Sequence, residues 1–148
     1  MRRSESSYRV GRWLVLISLL AVDAGAGRPA VVVGEVTARM AGATPETERS
    51  LRALVTRELA DLELPSQRGP SYILSASLVR LDSRASAAGA EASCEVAATL
   101  RRAGSGAILA IIRGRGRAED EPAAVEGARA RALEAAVHGA VKRVPEAL

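Results

Sequence analysis

Phenylalanine is absent from this 148-residue chain, and the other aromatics are scarce: one Trp and two Tyr. A core without large rings is filled by Ala, Val and Leu, so its layers must approach closely. A single cysteine, Cys94, excludes an intramolecular disulfide and a cysteine-based metal cage. A single histidine, His138, leaves little material for imidazole-based catalysis or metal binding. No glycine-rich phosphate loop follows a strand and opens a helix: Gly104-Ser-Gly106 enters a strand pattern, and Gly114 and Gly116 lie inside one. The sequence implies no cofactor.

The formal charge is +4. Residues 1–12 hold Arg2, Arg3, Arg9 and Arg12 against Glu5 alone, and Trp13 to Val22 is an uninterrupted apolar run. Asp23 ends the run, and Ala24-Gly25-Ala26 supplies the small residues that a signal peptidase requires. This order is that of a secretory signal peptide over residues 1–26, with a single domain over 27–148. The apolar run is about half the roughly twenty residues needed to cross hydrocarbon. An uncleaved anchor is the alternative. The expected location is the periplasm or the exterior, with no membrane span once the signal is cleaved. Without residues 1–26 the chain carries 17 basic and 15 acidic groups, a net +2 that does not point to nucleic acid.

Periodicity then sets an order β-α-β-β-β-α. Ala30–Ala38 is short and β-branched, with Val32, Gly34, Val36 and Ala38 on one face. Thr44-Pro45 caps a helix whose Leu51, Leu54, Val55, Leu59 and Leu62 form one stripe, over about five turns. Tyr72–Leu81 and Glu91–Arg102 alternate as strands, separated by a loop at Asp82–Ala90 of flexible composition. A fourth strand over Ser105–Arg117 sets Ile108, Ala110, Ile112, Gly114 and Gly116 against Leu109, Ile111, Arg113, Arg115 and Arg117. Glu119-Asp120-Glu121-Pro122 then opens an Ala-rich helix that Pro145 ends. The fold class is α+β: a two-layer sandwich with a mostly antiparallel four-stranded sheet and two helices on one face. The face with small residues and glycines is the one that admits helices.

Two candidate sites arise. Cys94 and His138 would make a nucleophile and base only if the fold joined them, and Cys94 falls on an apolar face. Arg113, Arg115 and Arg117 project from one strand face roughly 7 Å apart. Together with Glu95, Leu109 and Ile111 they mark a possible binding face for a small ligand or polyanion. The alternative is a solvated face in which these arginines pair across strands with Glu91, Glu95 or Glu35. No aromatics interleave the arginines, which disfavours nucleic acid.

Tyr72-Ile-Leu-Ser-Ala-Ser-Leu-Val-Arg-Leu81, followed by a hairpin and an Ala-rich final helix, resembles a small α/β module of the bacterial envelope. That module forms the N-terminal domain of the Tol-system propeller protein. It also occurs in lipoprotein activators of penicillin-binding proteins and in curli-type secretion lipoproteins. The resemblance implies a protein–protein adaptor without catalytic residues, whose partner is another envelope protein. This chain departs from the pattern in lacking a further helix between strands and a lipid-anchoring Cys.

Overall fold

A computed structural model describes residues 31–64 and 70–148. The export-type segment at residues 1–26 lies outside the described residues. The elements run β1 (Val31–Thr37), α1 (Pro45–Ala60), β2 (Tyr72–Ser86), β3 (Gly89–Arg102), β4 (Ile108–Asp120) and α2 (Val125–Val141), closed by a 3-10 turn at Val144–Ala147. The four strands lie in sequence order in an open sheet. β1 runs parallel to β2, while β2–β3 and β3–β4 are antiparallel. The helices fill one layer, α1 over β1 and β2 and α2 over β3 and β4. The expected α+β architecture is what forms.

Helix α1 starts where its chemistry demands. Thr44 Oγ1 accepts from the Thr47 backbone N–H at 3.2 Å, and Thr47 Oγ1 accepts from Thr44 N–H in return, while Pro45 and Glu46 occupy the first turn. Its stripe buries Leu51, Val55 and Leu59, with Leu54 and Leu62 packed at the margin. The helix stops at Ala60, with Asp61 as C-cap, a turn or less before the point expected.

Four expectations need correction here, and two share one cause, an extra residue in a strand ladder. Val33 faces Leu74 and Val36 faces Ala76, so β1 carries one residue more than β2 between these pairs. This bulge buries Val36 but turns Val32 to the opposite face, where it is 50% exposed. The Asp82–Ala90 segment is no loop: a bulge at Val79 resets the alternation, β2 continues to Ser86, and a two-residue turn leads to Gly89. Ser86 Oγ accepts from Ala88 N–H inside that turn. Glu119 and Asp120 extend β4 and do not open α2, which begins at Val125 without a side-chain cap. Asp120 instead pairs with Arg131 of α2, and Arg131 also donates to the Glu119 carbonyl. Finally, α2 ends at Val141, and Pro145 lies inside the terminal 3-10 turn, which buries Val144.

Helix α2 buries Ala128, Ala132, Leu133, Ala136, Val137, Ala140 and Val141. Its alanines sit directly on Gly114 and Gly116 of β4. Glycine opposite alanine brings helix and strand backbones into contact, which is how this ring-poor core fills its volume. Between the helices, His138 Nδ1 meets Glu58 Oε2 at 2.7 Å, and Arg57 bonds both Glu58 and Glu134. The His138 hydrogen bond, and secondarily the one from Arg57, holds the Glu58 carboxyl below its ordinary range of about 4.5. A depressed carboxyl contributes stability above its unfolded-state value and loses it as pH falls through the folded-state value. Glu58→Gln should therefore melt below the wild type at pH 7, and the difference should shrink as pH falls below about 4.5 and vanish once the folded-state carboxyl is protonated. Thermal melts of both proteins across that range check the expectation.

Candidate functional site

Among the described residues, nothing covers the face of the sheet turned away from the helices. Its rows follow from strand register. At one end Val32, Ile73, Arg101 and Ile108 lie side by side across all four strands. The next row on this face is Ser75, Thr99 and Ile111, and then come Ser77, Ala97 and Arg113. Beyond it, Arg80–Glu95–Arg115, Asp82–Ser93–Arg117 and Arg84–Glu91–Glu119 complete the face. Apolar side chains thus gather at the end near the β3–β4 hairpin, and charges at the other.

The apolar end exposes Ile108 (63%) and Ile111 (64%), the largest exposures of any bulky apolar side chain among the described residues. Ile108 was expected on the packed face with Ala110. A bulge at Leu109, which lies unpaired between the Ala110–Leu100 and Ile108–Arg101 pairs, turns it outward. Leu109 itself is at the margin of exposure. Arg101 donates from Nη2 to Ser75 Oγ at 3.1 Å, while its enclosed Nε has no partner.

The charged end is partly self-neutralised. Glu95 is mostly enclosed and receives Arg113 Nη1 at 3.2 Å and Arg115 Nε at 3.4 Å, one carboxylate between two guanidinium groups. Arg84 pairs with Glu91 at 2.6 Å, and Arg80 with Asp82. Arg117 has no ion pair among the described residues. It borders a shallow groove of about 440 Å³ whose other walls include Arg80, Arg84, Ser93 and Glu119. Arg84 lies in the Asp82–Ala90 segment, which reads as a loop from sequence, whereas Arg80 lies inside the expected strand on the parity of Leu78 and is turned to the open face by the bulge at Val79. The signal was present in the alternation of Asp82, Arg84 and Ser86 with smaller residues, but the bulge at Val79 breaks its phase.

The Cys94–His138 pair does not form. Cys94 is buried beneath the helix layer, whereas His138 is exposed and bonded to Glu58. Burial, with a smaller contribution from Glu95, pushes the Cys94 thiol up to about 12. A thiol so held is no nucleophile at neutral pH. Labelling with a water-soluble disulfide reagent is expected to be negligible in the native protein and complete once it is unfolded. Stoichiometric native labelling would contradict the burial. Among the described residues no group of three His, Cys, Asp or Glu is placed to hold a metal ion, and no helix is long and apolar enough to cross a membrane.

No family model and no curated protein matches the chain. Solved structures do. The fold is similar to that of a Xanthomonas campestris protein of family DUF330, with a TM-score of 0.59, 17% identity, and coverage of 80% of this chain and 84% of the other. It is also similar to PelC from Paraburkholderia phytofirmans, crystallised as a dodecamer, with a TM-score of 0.51, 16% identity, and coverage of 79% and 86%. At these identities the likeness is one of fold.

Proposed function

We propose that this is an exported, non-catalytic protein of the bacterial envelope that binds another envelope protein through the open face of its sheet. The observation that carries the reading is the exposure of Val32 and Ile108, at the two edges of one row, and of Ile111 in the next row, beside arginines, on a sheet face that no helix among the described residues covers. The order of basic, apolar and small residues over 1–26 supports export. PelC, a chain of similar fold, is assembled as a dodecamer, which supports contact with other chains as a use of this architecture.

A photo-crosslinking residue at position 111 should yield a defined adduct in envelope fractions, and one at exposed Glu134 on the helix layer should not. Equal adducts from both positions would remove the open face from consideration. A fusion of residues 1–30 to a reporter active only outside the cytoplasm should be active, and a silent reporter would sink the export half of the reading. A second reading is favoured by the groove beside Arg117: a small-ligand or polyanion binder using Arg115 and Arg117. It predicts salt-sensitive retention on heparin or phosphate resin that Arg115→Glu/Arg117→Glu abolishes.

A further inference from the structure

We propose that the free edge of β4 accepts an extended acidic segment of the partner by strand addition. This rests on the reading of the protein as a protein-binding module and names the partner's chemistry. The sheet ends in two unlike edges. β1 has seven residues, is bulged at Gly34–Glu35, and has its Gly34 carbonyl occupied by Arg52 Nη1 at 3.4 Å. A short, bulged, capped edge resists pairing. β4 has 13 residues, runs without a bulge from Ala110 to Asp120, and among the described strands pairs only with β3. Its outer backbone N–H and C=O groups are therefore open to an added strand.

Two features beside this edge decide what it takes. On the open face it presents Arg113, Arg115 and Arg117, followed by Glu119, and among the described residues the only ion-pair partner of these arginines is the carboxylate of Glu95. Three positive charges against Glu95 and Glu119 leave this stretch one in excess, with Arg117 itself unpaired among the described residues. Side chains directly opposite on an added strand would stand close to these arginines, so acids at alternate positions are matched. A second β4 is not: registers centred on the arginines set guanidinium against guanidinium. On the other face, the flank of α2 along the edge is Arg131, Ala135 and Gly139, one helical stripe. Gly139 approaches the Gly114 backbone, Ala135 borders Gly116, and Arg131 bonds the Glu119 carbonyl at the far end. Between Arg131 and the helix end this flank therefore sets no long side chain beside the strand edge, which suits an added strand whose inward side chains are of modest size.

The probe is an acetylated, amidated heptapeptide, Thr-Glu-Val-Glu-Val-Glu-Thr, with two derivatives methylated on alternate backbone nitrogens in opposite phase. The parent should bind with salt-dependent affinity and protect alternate β4 amides from hydrogen exchange. One methylated phase should lose binding and the other keep it, because only one set of N–H groups faces β4. Arg115→Glu/Arg117→Glu, with an unchanged melting temperature, should weaken the parent by about tenfold or more. Absence of parent binding at millimolar concentration overturns the proposal. So does equal binding of both methylated phases, or of heparin in their place, since charge without backbone pairing would then suffice. If the position-111 adduct persists while the peptide fails, the strand-addition proposal falls and the protein-binding reading stands.

Discussion

Gly114→Ala is expected to destabilise the protein by roughly 3 kcal/mol or more, the upper end of what overpacking costs. A Cβ built on Gly114 would intrude on the Ala136 carbonyl oxygen and lie 2.7 Å from the Ala140 nitrogen. Both are backbone atoms of α2, so no side-chain rotation relieves the contact. The helix would have to lift by roughly 1 Å to restore ordinary separations. Lifting it unseats Ala132, Ala136 and Ala140 together, because one helix face carries all three. Gly116→Ala should behave alike, since its Cβ would meet the Ala132 carbonyl and the Ala136 nitrogen. Domains of this size are stable by about 5–15 kcal/mol, so the double variant is expected to be barely folded. Gly104→Ala is the control: nothing lies within 4 Å of its added methyl. Urea unfolding of the three variants checks the set. A cost below about 1 kcal/mol at Gly114 would mean that α2 does not rest on β4 as described.

Leu100→Ala is the second large effect, expected at about 3–4 kcal/mol within the roughly 2–5 found for buried Leu→Ala. Leu100 is fully buried and stands directly opposite Leu74, equally buried, on the adjacent strand. The neighbours along β3 on the same face are Ala98 and Val96, whose short side chains cannot reach into the space. Cavities collapse least where the walls are short and backbone-bound. Leu74→Ala should cost a similar amount, and the double variant less than the sum, because the two leucines line one space. Ile111→Ala, on the exposed face, should stay within about 0.5 kcal/mol. That contrast separates the packed face of the sheet from the one assigned to binding.

The legible and illegible parts of this fold divide along the strand bulges. Where alternation runs unbroken, as from Ala92 to Leu100, residue parity names the buried side chains correctly, and the same is true of Gly114 and Gly116. Thr44-Pro45 announces the helix it caps. Val32, Ile108 and the Asp82–Ser86 extension were misplaced because each adjoins a bulge, and one extra residue inverts the faces of everything beyond it. The candidate face was visible as Glu95, Ile111, Arg113, Arg115 and Arg117 in their strands. Its apolar row was not, since Val32 and Ile108 reach it only through bulges at opposite edges of the sheet.

The sequence by itself determined the element types, the two-layer class and the face on which helices lie, because these follow from local periodicity, capping and the small size of the residues at Gly114, Gly116 and along α2. Only the tertiary structure decided which strands are neighbours, that Arg113 and Arg115 share Glu95 while Arg117 pairs with no acid among the described residues, and that among the described strands β4 is left with an open edge. Those facts depend on register between segments far apart in the chain, where a shift of one residue costs little locally and is selected only by the packing of the whole layer.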